Sequence, residues 1–417
     1  MCNICKIGIA QIMGVSAMLL TLLTACEQIP SEFASPQSSQ SSSSQPFARI
    51  VNANLPAPTK TLICDDFKTN QAVTITGRTQ LANGCDLTGK GVRFVLNQSD
   101  ASLDCNGATL SPQNETDKAS AITIRPKNDA TAIRNISVAN CHITGYGHAL
   151  HIRKATNPNQ RYAKRDTNPQ AIDPDANRAT APQYIRIVNV SSMNSINSGI
   201  FVGDHVHHVT FDRLYVARSG TVGLYFEFGS RHNTVKNSVF VDNGFRTFKP
   251  NREAIAIDSS AFNVIQNNEF VHNGAGGVHL YRNCFEHADD PSRSNHFKRT
   301  ESASNNVIEG NLFRDEPVGV WVASRQSRNL RGFECGAYVL GDTAFARYHL
   351  DSAKNNQIMG NEFVNVDTGI IVEDDGTQII GNDFRQVAGV PYKNGSEIRE
   401  KYGKPVVGTV IQGNEMD

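Results

Sequence analysis

Asn263-Val-Ile-Gln-Asn-Asn-Glu-Phe270 is followed along the chain by Asn306-Val-Ile-Glu-Gly-Asn-Leu-Phe313, Asn356-Gln-Ile-Met-Gly-Asn-Glu-Phe363 and Thr377-Gln-Ile-Ile-Gly-Asn-Asp-Phe384. Looser copies run from Arg134 to Ile143, His208 to Leu214 and Asn233 to Phe240, and a last one starts at Thr409. A phrase that recurs through most of a chain makes it one repeated unit, and the repeat sets the architecture before any other feature.

Each copy alternates polar and apolar residues, which is strand periodicity and not helix periodicity. A second short strand of the form small-apolar-x-apolar accompanies the copies: Gly199-Ile-Phe-Val202, Gly223-Leu-Tyr-Phe226, Ala254-Ile-Ala-Ile257, Gly277-Val-His-Leu280, Gly319-Val-Trp-Val322 and Gly369-Ile-Ile-Val372. Three such strands joined by short turns make one coil of a stacked solenoid. Unembellished copies lie 21 to 30 residues apart, which suits a β-helix rung and is too short for a propeller blade of about 40. The Asn of each Gly-Asn-x-Phe segment is expected at a bend, where Asn tolerates a left-handed backbone. Stacked from coil to coil, its amides form a hydrogen-bonded ladder that satisfies the turn backbone.

These residues resemble the right-handed parallel β-helix of the pectin-lyase-like superfamily, from about Leu62 to Met416. The stretch from Cys64 through Cys85 to Leu103-Asp-Cys-Asn-Gly-Ala-Thr-Leu110 is similar to the first coils of such proteins. The resemblance implies an all-β, single-stranded right-handed parallel β-helix and is weak on chemistry. The paired-Asp and Gly-His-Gly signatures of polygalacturonases are absent, since Gly203-Asp-His205 is not that motif, and so is the Asp-Pro-His-Asp motif of alginate epimerases. No catalytic residue therefore carries over from a family.

Residues 1–25 read as a secretory signal, with an apolar run through Met18-Leu-Leu-Thr-Leu-Leu23 and a lipobox, Leu23-Thr-Ala-Cys26. Cys26 would carry diacylglyceride and anchor the chain in a bacterial cell envelope. By resemblance to other lipoproteins, Glu27 suggests the outer membrane, on its periplasmic or surface face. Residues 26–60 are Ser/Gln-rich and read as a tether. Residues 61–417 form the solenoid, with insertions at 154–182, 282–305 and 323–355.

Without Cys2, Cys5 and Cys26, six of the nine cysteines remain. An even count in an exported chain favours disulfides: Cys64 with Cys85, Cys105 with Cys141, and Cys284 with Cys335. No Cys-x-x-Cys spacing supports zinc. The 40 basic and 40 acidic residues balance, which gives no argument for a nucleic-acid partner.

In the small-apolar-x-apolar strands the apolar pair faces the core, so two columns face outward. In chain order they are Thr123 and Arg125, His151 and Arg153, Phe201 and Gly203, Tyr225 and Glu227, Ala256 and Asp258, His279 and Tyr281, Trp321 and Ala323, Ile371 and Glu373. Neighbours in a column lie roughly 4.8 Å apart. The centre gathers Tyr225, Glu227, Asp258, His279 and Tyr281 between two aromatics, Phe201 and Trp321. Aromatics beside a polar cluster suit a sugar groove. The insertions would stand as walls along one edge, and Phe240 to Glu253 brings Arg246, Lys249 and Arg252 from the other.

Three chemistries fit. In a lyase or epimerase acting on a uronate polymer, His279 is the base and Tyr281 the acid, with Arg252 or Arg282 at the substrate carboxyl. In a glycoside hydrolase, Glu227 and Asp258 divide the acid and base work. The same two carboxylates could instead hold Ca²⁺, although no cofactor is required. Tyr225, Trp321, Phe201, His151, Arg153 and Arg125 are the candidate polysaccharide-binding residues. His205, His207 and His208 read as surface histidines. A non-catalytic glycan-binding envelope protein is the competing class.

Overall fold

The computed structural model describes residues 55–114, 118–156, 173–283, 301–333 and 338–417, all within one compact unit, Ile50–Asp417. Cys26, Cys284, Cys335, the tether up to residue 54 and most of the 282–305 insertion lie outside the described residues. Among the described residues no helix is long and apolar enough to cross a membrane.

The chain winds as expected. Parallel pairing joins strands of successive coils into a sheet of 20 strands, which holds the repeat phrases, and a second sheet of 11 strands. Parallel neighbours connected through a full coil take the right-handed crossover that strand twist favours. The 11-stranded sheet runs from Ala72–Ile75 to Val390–Asn394 and includes Leu224–Phe226, Glu253–Asp258, Gly276–Tyr281 and Val318–Val322.

Register in this second sheet matches the outward column residue by residue. His151 pairs with Phe201, Phe201 with Tyr225, Tyr225 with Ala256, Ala256 with His279, His279 with Trp321 and Trp321 with Ile371. The flanking Leu224, Ile255, Val278 and Val320 are fully buried.

The small residue that opens these strands has a packing cause. Phe240, Phe270, Phe313, Phe363 and Phe384 stack through the core with ring centroids 4.8–5.3 Å apart. A Cβ on Gly277, Gly319 or Gly369 would come within 2.5 Å of one of these rings. The backbone must therefore approach the ring column with no side chain between.

The expected ladder forms as well. Asn268, Asn311, Asn361, Asn382 and Asn414 each accept, through Oδ1, from the backbone N–H of the residue one coil back, at 2.9–3.0 Å. A second column links Asn233, Asn263, Asn306 and Asn356. One expectation needs correction. The left-handed residue is the one before the ladder Asn, namely Asn267, Gly310, Gly360 and Gly381. The ladder Asn must instead aim its amide along the solenoid axis, so the bend passes to its neighbour.

Cys64–Cys85 and Cys105–Cys141 pair as expected, with Cα separations of 5.5 and 4.9 Å. At the carboxyl end, Val390–Asn394 adds a last strand to the 11-stranded sheet. The short helix Glu397–Lys401, capped by Ser396, follows it. Arg399 locks this segment down through Asp374 at 2.8 Å and Asp375 at 2.7 Å. The segment from Val390 to Lys401 is thus an extra strand and a helix turn.

Candidate functional site

The outward column passes through a cavity of about 370 Å³. Its floor is His279, Tyr281 and Trp321. One wall is Arg246, Pro250, Asn251, Arg252 and Glu253, and the other is Ser324, Arg325 and Arg328. Both walls come from segments expected to stand there: the stretch ending at Glu253, and the 323–355 insertion.

Sequence reasoning missed Glu253. Strict alternation places it on the core side with Ile255 and Ile257. The register runs Glu253 to Gly276 and then Ile255 to Val278, skipping the small residue. The same skip at the small residue occurs at Ala149 and at Gly319, and Glu253, just ahead of Ala254, lines the cavity with the outward residues. The signal was the small residue itself, which follows the first residue of these strands and marks a backbone that does not alternate strictly.

Glu253 organises the cavity. Arg252 donates to it twice, Nε to Oε2 at 3.0 Å and Nη2 to Oε1 at 2.9 Å. The Tyr281 hydroxyl donates to Oε1 at 3.2 Å and accepts from Arg252 Nη2 at 2.9 Å. His279 Nδ1 lies 3.8 Å from Oε2. Burial would raise the Glu253 carboxyl, but the Arg252 charge and its hydrogen bonds overcome this and hold it at about 2. Burial lowers His279 from its ordinary value, only partly opposed by the Glu253 charge, so the imidazole is neutral near pH 7. Burial and the Glu253 charge raise the Tyr281 phenol, which stays protonated. The Arg325 guanidinium covers the Tyr281 ring at 4.6 Å, a cation–π contact. The cavity therefore offers a neutral base, a protonated acid and four guanidiniums, a set that can move a proton beside a developing anion.

Trp321 is held by its indole N–H, which donates to Glu373 Oε2 at 3.1 Å, and its ring meets His279 edge-on at 5.5 Å. On the other side the column continues as an aromatic strip. Tyr225 stacks on Phe201 at 5.2 Å, and Phe201 meets His151 at 5.1 Å and His148 at 5.7 Å. Burial, with the His148 and Arg153 charges, lowers His151 to about 3. Between strip and cavity Ala256 is fully buried, packed with Tyr281 and Tyr225.

Several expected site residues lie elsewhere. Asp258 is fully buried and accepts from the Tyr225 hydroxyl, from Ser259 Oγ and from the Asn283 N–H, the last two at 2.8 Å. It fixes the wall, and neither it nor Glu227 lines the cavity. A bound Ca²⁺ would have to compete with those donors. Glu227 accepts from the Phe228 N–H at 3.4 Å.

Arg282 falls on the opposite side of its strand from Tyr281. Its backbone N–H donates to Asp351 at 2.6 Å and its guanidinium to the Leu350 carbonyl at 3.0 Å. Arg153 turns its guanidinium to the carbonyls of Lys154 and Ala155, and half-buried Arg125 also lies outside the cavity. Arg246, Arg325 and Arg328 supply the cations in their place. His205 is no surface residue: it is fully buried, with Nδ1 3.1 Å from Asp204. Among the described residues no group of three or more metal-ligating side chains comes together.

No curated protein sequence matches the chain. Several solved structures are similar to the chain at low identity. A GH87 alpha-1,3-glucanase catalytic domain in complex with tetrasaccharides is 10% identical, over 88% of this chain and 71% of that one, with a TM-score of 0.45. A DFA-IIIase from Arthrobacter chlorophenolicus in complex with DFA-III is 9% identical, over 83% and 73%, with a TM-score of 0.43. PfbA, a surface adhesin of Streptococcus pneumoniae, is 11% identical, over 80% and 83%, with a TM-score of 0.40. The family model described as the right-handed beta helix region matches residues 71–290, more than half of the chain, and the chain belongs to that family.

Proposed function

We propose that the cavity is the active site of a lyase or epimerase that acts on a uronate-containing polysaccharide. The observation that carries this reading is the composition of the cavity. Among the described lining residues there is one carboxylate, Glu253, held ionised by Arg252, beside a neutral imidazole, a phenol and four arginines. Hydrolysis of a glycoside uses two carboxylates in complementary roles. Removal of a proton α to a carboxyl needs a base, an acid and cations to neutralise the enolate.

In this reading His279 takes the proton α to the uronate carboxyl, and the guanidiniums balance the charge that forms. For elimination, the bond from the β carbon to the glycosidic oxygen breaks and Tyr281 protonates that oxygen. For epimerisation, Tyr281 returns a proton to the opposite face. Phe201, Tyr225 and His151 would hold neighbouring sugars of the polymer, and Trp321 the sugar beyond the reacting one.

The test is incubation of the purified protein with a panel of acidic polysaccharides. Elimination appears as ultraviolet absorbance of the unsaturated uronate, and epimerisation as incorporation of solvent deuterium. Either signal should fall by about 100-fold or more in His279→Ala and in Tyr281→Phe. Absence of both signals from every acidic polymer would overturn the reading. We also propose anchoring in the outer membrane through lipid on Cys26, motivated by Leu23-Thr-Ala-Cys26. Metabolic labelling with a fatty acid tests it, and an unlabelled Cys26 sinks it.

A further inference from the structure

We infer that Glu253 is a positioning residue for both proton-transfer groups of the cavity, setting the direction in which His279 and Tyr281 present their reactive atoms. The inference rests on reading the cavity as a site of elimination or epimerisation. Oε1 takes the Tyr281 hydroxyl at 3.2 Å, while Oε2 faces His279 Nδ1 at 3.8 Å. Arg252 spans both oxygens and keeps the carboxylate from turning.

With Nδ1 on the carboxylate side, Nε2 is the other end of the imidazole. It is buried and makes no hydrogen bond within the described structure. It faces Gly276, where a Cβ would come within 3.1 Å of it. Glu253 and Gly276 are register partners, so one pair of positions supplies a carboxylate near Nδ1 and, beside Nε2, a residue with no side chain to block it. At 3.8 Å the carboxylate is beyond hydrogen-bond reach and acts on Nδ1 through its charge, which favours the proton there and the lone pair on Nε2. On Tyr281 the same carboxylate keeps the phenol protonated until a substrate oxygen competes for the proton.

Other charged groups face the pair. Arg252 lies beside the phenol, Arg325 over its ring, and Asp258 in register with it, while Arg246 and Arg328 stand on the walls. Glu253 is the carboxylate that acts on both His279 and Tyr281, and the Arg252 charge opposes it at each. A carboxylate favours the protonated form of each, so its removal should make both give up their protons at lower pH.

The experiment compares wild type with Glu253→Gln. Without substrate, the His279 ring is titrated by NMR and the Tyr281 phenol by phenolate absorbance, each assigned with His279→Ala and Tyr281→Phe. Both titrations should move to lower pH in Glu253→Gln. On the acidic polymer that wild type processes, kcat should fall by about 100-fold with KM little changed. Glu253→Asp keeps the charge but withdraws it by one methylene, and covers the case in which the glutamine variant does not fold. It should move both titrations the same way by less. Titrations that stay at their wild-type positions overturn the role of Glu253, whatever the polymer assays give. Titrations that move, in a protein that processes no acidic polymer, uphold Glu253 and overturn the proposed reaction.

Discussion

Glu316 stands where the third amide column, Asn243 to Asn273, would take another Asn. Its carboxyl accepts from the Asn273 N–H at 3.2 Å and from Asn273 Nδ2 at 2.6 Å, and burial pushes it up to about 8 from an ordinary 4.5. Between those two values the folded protein holds a proton that the unfolded chain has released. Stability therefore falls as pH rises across that window. Glu316→Gln keeps the acceptor and removes the titration. Urea midpoints at a series of pH values should show a gain on the order of 2–4 kcal/mol near pH 8, with little change near pH 4. Equal gains at both pH values would refute this account. The lowered His279 works with the opposite sign, since its neutral form is the base. The acid limb of kcat/KM should fall below the ordinary 6.5, and a limb at or above 6.5 would remove His279 from that role. Of these residues, the sequence placed His279 and Tyr281 but not Glu253, because alternation fails at the small residue, Ala254, that follows it.

At the scale of one coil, two columns share the work. The Asn ladder satisfies the bends, and the phenylalanine stack fills the core beneath them. Stacked repeats depend on nearest-neighbour interfaces, so a defect in one coil weakens its neighbours. Gly319→Ala places a Cβ 2.3 Å from the Phe363 ring and 2.7 Å from the Gly369 carbonyl. Chemical denaturation should show a loss of about 1–3 kcal/mol, the range for overpacking. No loss would mean that the glycine is not required by the ring column. The repeat phrase made both columns legible, because Asn and Phe recur at fixed offsets. The small residue was legible as a pattern, but its cause, a ring from another coil, was not.

Across the whole molecule, the last coil and the cavity are one connected structure. Arg399 pairs with Asp374 and Asp375, Ser396 caps the adjoining helix, and Ser327 bridges Ser396 to Glu373, which holds Trp321. Arg399→Ala leaves Asp374 buried beside a lost partner, a change that costs about 3 kcal/mol or more. Trp321 is the one tryptophan of the chain, so its fluorescence reports the cavity directly. Arg399→Ala should lower the unfolding midpoint and shift Trp321 emission to the red before global unfolding. Unchanged emission would show that the carboxyl-terminal segment does not support the cavity.

The residues alone specified the solenoid and the register of its outward columns, and an even cysteine count pointed to two of its disulfides. The repeat phrase recurs at fixed offsets, and a strand period of two leaves little freedom once one coil is placed. Which outward residues share a cavity depended on tertiary packing. Asp258 and Arg282 are held away from the cavity by Asn283 and by Asp351 with Leu350, partners contributed by insertions without a repeat. Glu253 was brought out by a local break in alternation. Two of the cavity's four arginines, Arg325 and Arg328, stand on a long loop, and a loop's path is set by what it packs against, not by a period in its own residues.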